Sequence, residues 1–312
     1  MRTEDDQWGI TESVGATALG VASGRAMEHR RTDGLVDDPY AAAFVDAAGS
    51  AGGTAALPTD PTDDPAWAEL SSYIGVRSRF FDRFLVDAAA AGIRQVVLLA
   101  AGLDTRAQRL DWPEGTVVYE VDQQGVLEFK DRVLDEVGAP AMAAATGTGA
   151  GTGSAVPDPE ETARRVTVPV DLRHDWPGAL RAAGFDPSRP TAWLAEGLLP
   201  YLPAQAEADL FDRVEELSAP ASRIAVEHFG DSIAAMTDDE DFAALSQRFG
   251  VDVRELFPDD GARADPADLL GSFGWDVTPR SAADLARDYG RPLDAAQEPM
   301  FGAVVLLAAR HR

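Results

Sequence analysis

Apolar residues follow two rhythms along this chain. Up to about residue 90 they recur at helical spacing. Glu12 to Arg30 is alanine-rich and predicts a helix. Asp38-Pro39 marks a turn before a second helical run, Tyr40 to Ala48. Trp67 to Ala91 predicts a third helix, with Tyr73, Ile74, Phe80, Phe81, Phe84 and Leu85 at roughly helical intervals. Gly49 to Pro65, rich in Gly, Pro, Asp and Thr, reads as a loop. Beyond residue 90 the rhythm changes to short apolar runs. These are Val96 to Leu99, Thr116 to Asp122, Val166 to Asp171, Ala192 to Glu196 and Arg223 to His228. Ala303 to Leu307 closes the series, with Trp275 to Thr278 as its pairing partner. Helix-capable segments separate most of them. Near-continuous apolar strands alternating with helices predict a doubly wound α/β fold, mostly parallel and covered on both faces. Residues 1–90 would form a helical cap and residues 91–312 the sheet domain. Residues 138–161, with Thr-Gly and Ala-Gly repeats followed by Pro157-Asp158-Pro159, predict a flexible insertion. A second, helical insertion is expected at about 203–270.

Composition narrows the class. The chain of 312 residues is 45% hydrophobic, enough for a large core. No apolar run reaches the length of a membrane span, and the start (Met1 to Asp6) has no signal-peptide character, so a cytoplasmic protein is expected. There is no cysteine, which excludes disulfides and thiol chemistry. The formal net charge is −26, so a nucleic-acid partner is not expected. Asp238-Asp239-Glu240-Asp241 reads as a solvated run and not as a metal site.

The candidate chemistry lies at the first strand-to-helix turn, Ala100-Ala101-Gly102-Leu103-Asp104. Small residues there let a ligand approach the backbone. Asp122 follows Gly102 by twenty positions, at the tip of the second strand. A carboxylate there can accept from both ribose hydroxyls, which points to a nucleoside ligand. The dinucleotide glycine pattern is incomplete, and Asp104 would repel a pyrophosphate. A cationic sulfonium with an amino-acid tail suits the acidic turn better. Glu196 ends a strongly apolar strand, and a carboxylate buried there without a partner would be expensive.

Val97 to Arg106 and Tyr119 to Asp122 resemble the leucine carboxyl methyltransferase family, and more closely its actinobacterial branch of S-adenosylmethionine-dependent methyltransferases. So do Val170 to Arg173 with Asp175-Trp176, Pro190 to Leu199 with Tyr201-Leu202, Tyr73 to Leu85, and Asp288 to Arg291. The resemblance implies a class I methyltransferase sheet with a reversed last strand and S-adenosylmethionine as cofactor. It also implies contacts. Asp122 would hold the ribose, and Asp171 and Leu172 would flank the adenine. Ala101, Gly102 and Asp104 would line the methionine part. Arg77 would hold the methionine carboxylate. Glu196 would sit near the amino group or the substrate. Glu196 and Tyr201 are the candidates for contact with the reacting groups. Read as residues alone, Asp171 could equally cap a helix, Leu172 and Tyr201 could be packing residues, and Arg77 could lie on a surface.

The resemblance leans toward methylation of a carboxylate on a small molecule or peptide, held by an arginine such as Arg77, Arg79 or Arg25. A hydroxyl acceptor would need a base, for which His174 and His228 are candidates. Two other readings stand beside it: a nicotinamide-dependent oxidoreductase on a similar sheet, and a non-catalytic S-adenosylmethionine-binding protein. No metal is expected.

Overall fold

The computed structural model describes residues 14–50, 57–140, 163–230, 257, 263–295 and 297–312. The predicted insertion, beyond Pro140, and the acidic run at 238–241 lie outside these residues.

Three helices come first: α1 (Val14–Arg30), α2 (Ala41–Ser50) and α3 (Pro65–Ala90). α3 starts where the sequence supplies a cap. Asp64 Oδ1 accepts the Trp67 N–H at 3.1 Å, and Pro65 occupies a first-turn position where its missing N–H costs nothing.

The strands are β1 (Gln95–Leu99), β2 (Val117–Asp122), β3 (Arg164–Pro169), β4 (Thr191–Ala195), β5 (Arg223–His228), β6 (Asp276–Ser281) and β7 (Val305–Arg310). They form one sheet in the order β3-β2-β1-β4-β5-β7-β6. β1 to β5 run parallel, and β7 is antiparallel to β5 and β6. The mostly parallel α/β sheet with a reversed last strand is therefore present. The helices after α3 are α4 (Arg106–Arg109), α5 (Gln124–Glu136), α6 (Trp176–Ala182), α7 (Ala204–Glu216), α8 (Pro266–Ser272), α9 (Ala282–Asp288) and α10 (Gln297–Phe301).

Three strands depart from their predicted positions: β3, β7 and β7's partner β6, which runs to Ser281 where Trp275 to Thr278 was expected. β3 begins at Arg164 and ends at Pro169, so Asp171 lies in the turn beyond it. β3 is an edge strand, paired only with β2, which is where arginines and a proline without an N–H are tolerated. β7 runs to Arg310 because Ala308 to Arg310 pair with Arg223 to Ala225 on one side and with Asp276 to Thr278 on the other. Apolar pattern alone does not mark that half.

Both sheet faces are buried, as the continuous apolar runs require. Val97, Leu99, Tyr119, Val121, Trp193 and Val226 face α6 and α7, meeting Trp176, Leu180, Phe211 and Val214. Val96, Leu98, Val118, Leu194 and Leu306 face α3, meeting Val76, Phe81, Phe84 and Leu85. The alternation within Val96 to Leu99 is the period of two of a strand. α1, α2 and α5 share a smaller core of Leu19, Phe44, Phe129 and Val133. Within the segment expected as a helical cap at 203–270, α7 packs on the sheet and β5 is one of its inner strands. Among the described residues, no helix is long and apolar enough to cross a membrane.

Candidate active site

The site is assembled beyond the carboxyl ends of β1, β2, β4 and β5, where open parallel sheets place their ligands. After Leu99 the chain turns sharply. Ala100 has φ +52° and Gly102 φ +49°. The left-handed region costs a residue with a Cβ about 1–2 kcal/mol, so glycine would be the easier choice at position 100. The turn is bolted to β2 by two bonds. Ala101 N–H donates to Val121 O at 3.0 Å, and Gly102 N–H donates to Asp122 Oδ2 at 2.6 Å. Asp122 Oδ1 accepts the Gln123 N–H at 2.7 Å. Burial raises the Asp122 carboxyl to about 6, against the pull of these backbone donors.

Asp104 is ion-paired with Arg106 and also accepts the Arg106 backbone N–H at 2.7 Å. Burial opposes its ionisation, but Arg106, aided by other cations, brings it down to about 2. Its charge is compensated within the loop. Arg106 is itself buried and joins three elements. Nε donates to Asp82 Oδ1 at 2.6 Å on α3, and Nη1 to Glu196 Oε2 at 2.6 Å beyond β4. Arg109 adds two bonds to Asp82, at 2.6 and 2.7 Å. Burial pushes the Asp82 carboxyl up, and Arg106 and Arg109 more than reverse it.

Arg77 is not a surface residue: it is 5% exposed. Its Nη1 donates to both oxygens of Glu227, at 3.2 and 3.1 Å. Its Nε lies 2.9 Å from Glu196 Oε1, off the N–H axis. Glu227 is fully buried; the Tyr73 hydroxyl donates to Oε1, and Gly197 N–H donates to Oε2 at 2.7 Å. Burial drives the Glu227 carboxyl up and Arg77 draws it back, with a net rise.

Asp171 does not cap a helix. It accepts from Arg173 N–H and Nε, both at 2.9 Å, from Arg173 Nη2 at 2.7 Å, and from the Gln123 amide at 2.9 Å. The cap of α6 is Asp175, which accepts the Gly178 N–H. Leu172 is half-buried against the sheet core. Tyr201 follows β4 in a short helical turn. Its hydroxyl is 3.3 Å from Thr17 Oγ1 on α1, and its ring centroid is 5.5 Å from that of Phe257. The other arginines considered as acceptor clamps are engaged elsewhere. Arg25 donates to Asp38 at 2.8 Å and to Leu103 O at 2.6 Å, and Arg79 lies over the Tyr289 ring at 5.2 Å.

Comparison with known proteins decides what this arrangement belongs to. The profile of the leucine carboxyl methyltransferase family matches residues 18–215. A protein of Mycolicibacterium smegmatis named "Putative S-adenosyl-L-methionine-dependent methyltransferase" is 44% identical, over 99% of this chain and 98% of its own. One of the same name from Saccharopolyspora erythraea is 46% identical over 94% of each.

The chain belongs to the leucine carboxyl methyltransferase family.

It is therefore an S-adenosylmethionine-dependent methyltransferase. The oxidoreductase alternative is not favoured by these relatives. A solved structure from Thermobifida fusca YX, named a "putative methyltransferase", shares the fold, with a TM-score of 0.51 at 18% identity, covering 97% of this chain and 96% of that one.

Two features of this methyltransferase fit its cofactor. A Cβ built on Gly102 meets nothing nearer than 3.9 Å, so the protein leaves the cradle above that glycine open. The Arg77 Nε–H is buried and, among the described residues, makes no aligned hydrogen bond, although Glu196 Oε1 lies 2.9 Å from the nitrogen. A buried donor left misaligned in this way gains when a ligand acceptor lies on its axis. Gly102→Ala is expected to lower stability by only about 1 kcal/mol, through its φ. It should weaken S-adenosylmethionine binding more than tenfold, roughly, by filling the cradle, which calorimetric titration would measure.

Residue reading assigned no role to Arg106, Asp82, Glu227 or the pairing of Tyr73. Glu227 carried a usable signal, a carboxylate inside an apolar strand, which is the same argument that singled out Glu196. Glu120, within β2, carried it too. Lys130 Nζ sits 2.7 Å from Glu120 Oε2, both side chains wholly buried. Arg165 Nη2 donates to the same oxygen at 2.6 Å.

Proposed function

We infer that this methyltransferase places the methyl group on a carboxylate oxygen of a small molecule or peptide. What supports this is the state of Asp82, Asp104, Glu196 and Asp122 around the cradle. Asp82 and Asp104 are ion-paired with arginines and held below the usual carboxylate range, so both are poor bases. Glu196 is bonded to Arg106. Asp122, with the highest affinity for a proton among the site's aspartates, is given to the ribose in this reading. A hydroxyl acceptor needs a base with a pKa near the working pH, whereas a carboxylate is already ionised and needs none.

S-adenosylmethionine, when bound, supplies a methyl group activated by its sulfonium. The chain must hold it, align the acceptor and exclude water. Asp122 would accept from the ribose hydroxyls through the lone pairs that Gly102 and Gln123 leave free. Asp171 and Leu172 would flank the adenine. Ala101, Gly102 and Asp104 would line the methionine chain. The Arg77 Nε–H would meet its carboxylate and Glu196 its ammonium. Tyr201, beside Thr17 and Phe257, would contact the acceptor. α1 supports this as a cover, since it brings Ala18 to within 3.9 Å of a Cβ on Gly102 and Thr17 to Tyr201.

The test uses S-adenosylmethionine with a labelled methyl group and a panel of small carboxylic acids and peptides. A methyl ester is expected, releasing its label as methanol in mild alkali. At saturating cofactor, kcat should stay flat from roughly pH 7 to 9, because no proton leaves the acceptor. Alkali-stable label, with kcat rising across that range, would assign a hydroxyl acceptor and a general base instead.

A further inference from the structure

We propose that Glu227, seated by Tyr73, is a positioning residue that grips Arg77 by Nη1 and keeps its Nε–Nη2 edge turned toward the carboxylate of the cofactor. This rests on the reading that Arg77 holds that carboxylate.

The argument starts from the geometry of a guanidinium. It carries five N–H donors in a rigid plane, and two parallel donors on one edge match a carboxylate. Nη1 of Arg77 is spent on Glu227, at 3.1 and 3.2 Å. Nε is buried with its N–H unmatched, and Nη2 makes no hydrogen bond among the described residues. The edge left over is the bidentate one. Glu196, 2.9 Å from Nε, lies off the N–H axis and does not fill it.

Glu227 is well placed to set this orientation because it is fully buried and held at both oxygens. Its Oε1 accepts from Tyr73 and Arg77, and its Oε2 from Arg77 and, at 2.7 Å, from Gly197 N–H. Gly197 adopts φ +62°, and a Cβ there would stand 3.7 Å from Arg77 Nη1. The residue next to Glu196 is thus tied to the same carboxylate. Tyr73 lies one helical turn before Arg77 on α3, and its ring stacks on Phe301 with centroids 4.4 Å apart and planes 5° apart. A chain of contacts runs from the C-terminal helix α10 through Tyr73 and Glu227 to Arg77. Its effect is confined to the orientation and charge balance of one arginine.

A residue with this role should tune recognition of the cofactor's carboxylate, not general affinity. The experiment is calorimetric titration of the full chain with S-adenosylmethionine and with its decarboxylated analogue. In the wild type the analogue should bind about a hundredfold more weakly, since it forfeits a bidentate charged contact. Glu227→Gln should reduce that ratio to about tenfold or less, and Tyr73→Phe should reduce it by a smaller factor in the same direction. Glu227→Asp, which restores the charge, should recover part of it. A purely structural role would weaken both ligands alike and leave the ratio unchanged. A ratio unchanged in the variants overturns the proposal. If Glu227→Gln does not fold, Tyr73→Phe decides by the same ratio. A wild-type ratio near one would instead remove the reading of Arg77 on which the proposal stands.

Discussion

Replacing Asp122 by alanine will weaken S-adenosylmethionine binding by about a hundredfold or more, since hydrogen bonds to a charged acceptor contribute about 1.5–3 kcal/mol each and two ribose hydroxyls are lost. Calorimetry would read it, and equal affinity in wild type and variant would remove the ribose assignment. The same residue makes binding pH-dependent. Its carboxyl titrates at about 6 in the folded chain, because burial opposes the charge. Ribose donors favour the ionised form, so binding must lower that value. At pH 6 half of the free protein carries the proton, and binding should release about half a proton, measurable as a dependence of binding heat on the buffer's ionisation enthalpy. Affinity should hold at neutral pH and fall as pH drops below about 6. The effect on folding has the opposite sense. A carboxyl raised in the folded state favours the fold when protonated, and that contribution is lost as pH rises through about 6.

Arg106→Met should be the most damaging single change to stability. Arg106 is 2% exposed and holds Asp82, Asp104 and Glu196. Removing one partner of a buried charge pair costs about 3–5 kcal/mol, because the charge left behind has neither water nor a counterion. For a chain of 312 residues that is a fall in Tm of about 5–8 °C, readable by calorimetry. Lysine should recover only part of it, since one ammonium cannot bond three carboxylates in different directions. The pH dependence distinguishes this cause from a packing defect. In the wild type the carboxyls of Asp82 and Asp104 lie below their ordinary values, so their stabilisation is present above the normal carboxylate range and fades as pH falls below it, for Asp104 through about 2. In the variant the stranded carboxylates take up protons more readily. Its deficit should narrow on acidification, whereas a deficit constant with pH would point to lost packing.

The contrast between Asp122 and Arg106 shows what residue order reveals. β1, β2 and β5 are legible because an apolar run with both faces buried leaves a dense local signal. Asp122 and Gly102 are legible because a turn and a strand tip at fixed separation form a local unit. Arg106 stands in the quoted motif, yet its role depends on Asp82 and Glu196, 24 and 90 positions away. No local pattern predicts such a meeting. The extent of β7 was hidden for a related reason, since Ala308 to Arg310 are strand only because β5 and β6 pair with them. The left-handed backbone at Ala100 was equally hidden, since alanine gives no sign of it.

Lys130 carries a practical consequence. It is the only lysine in the chain, and its side chain is fully enclosed against Glu120. Burial also lowers its affinity for a proton, though what shields it from reagents is enclosure. Amine-directed chemistry on the folded protein therefore has no lysine to attack. Labelling at Lys130 must wait for α5 to come away from the sheet, so its rate in dilute acylating reagent reports the equilibrium population of the open form. The peptide carrying Lys130, resolved by mass spectrometry from the peptide carrying the α-amino group, therefore gives a one-lysine gauge of unfolding without any engineered probe.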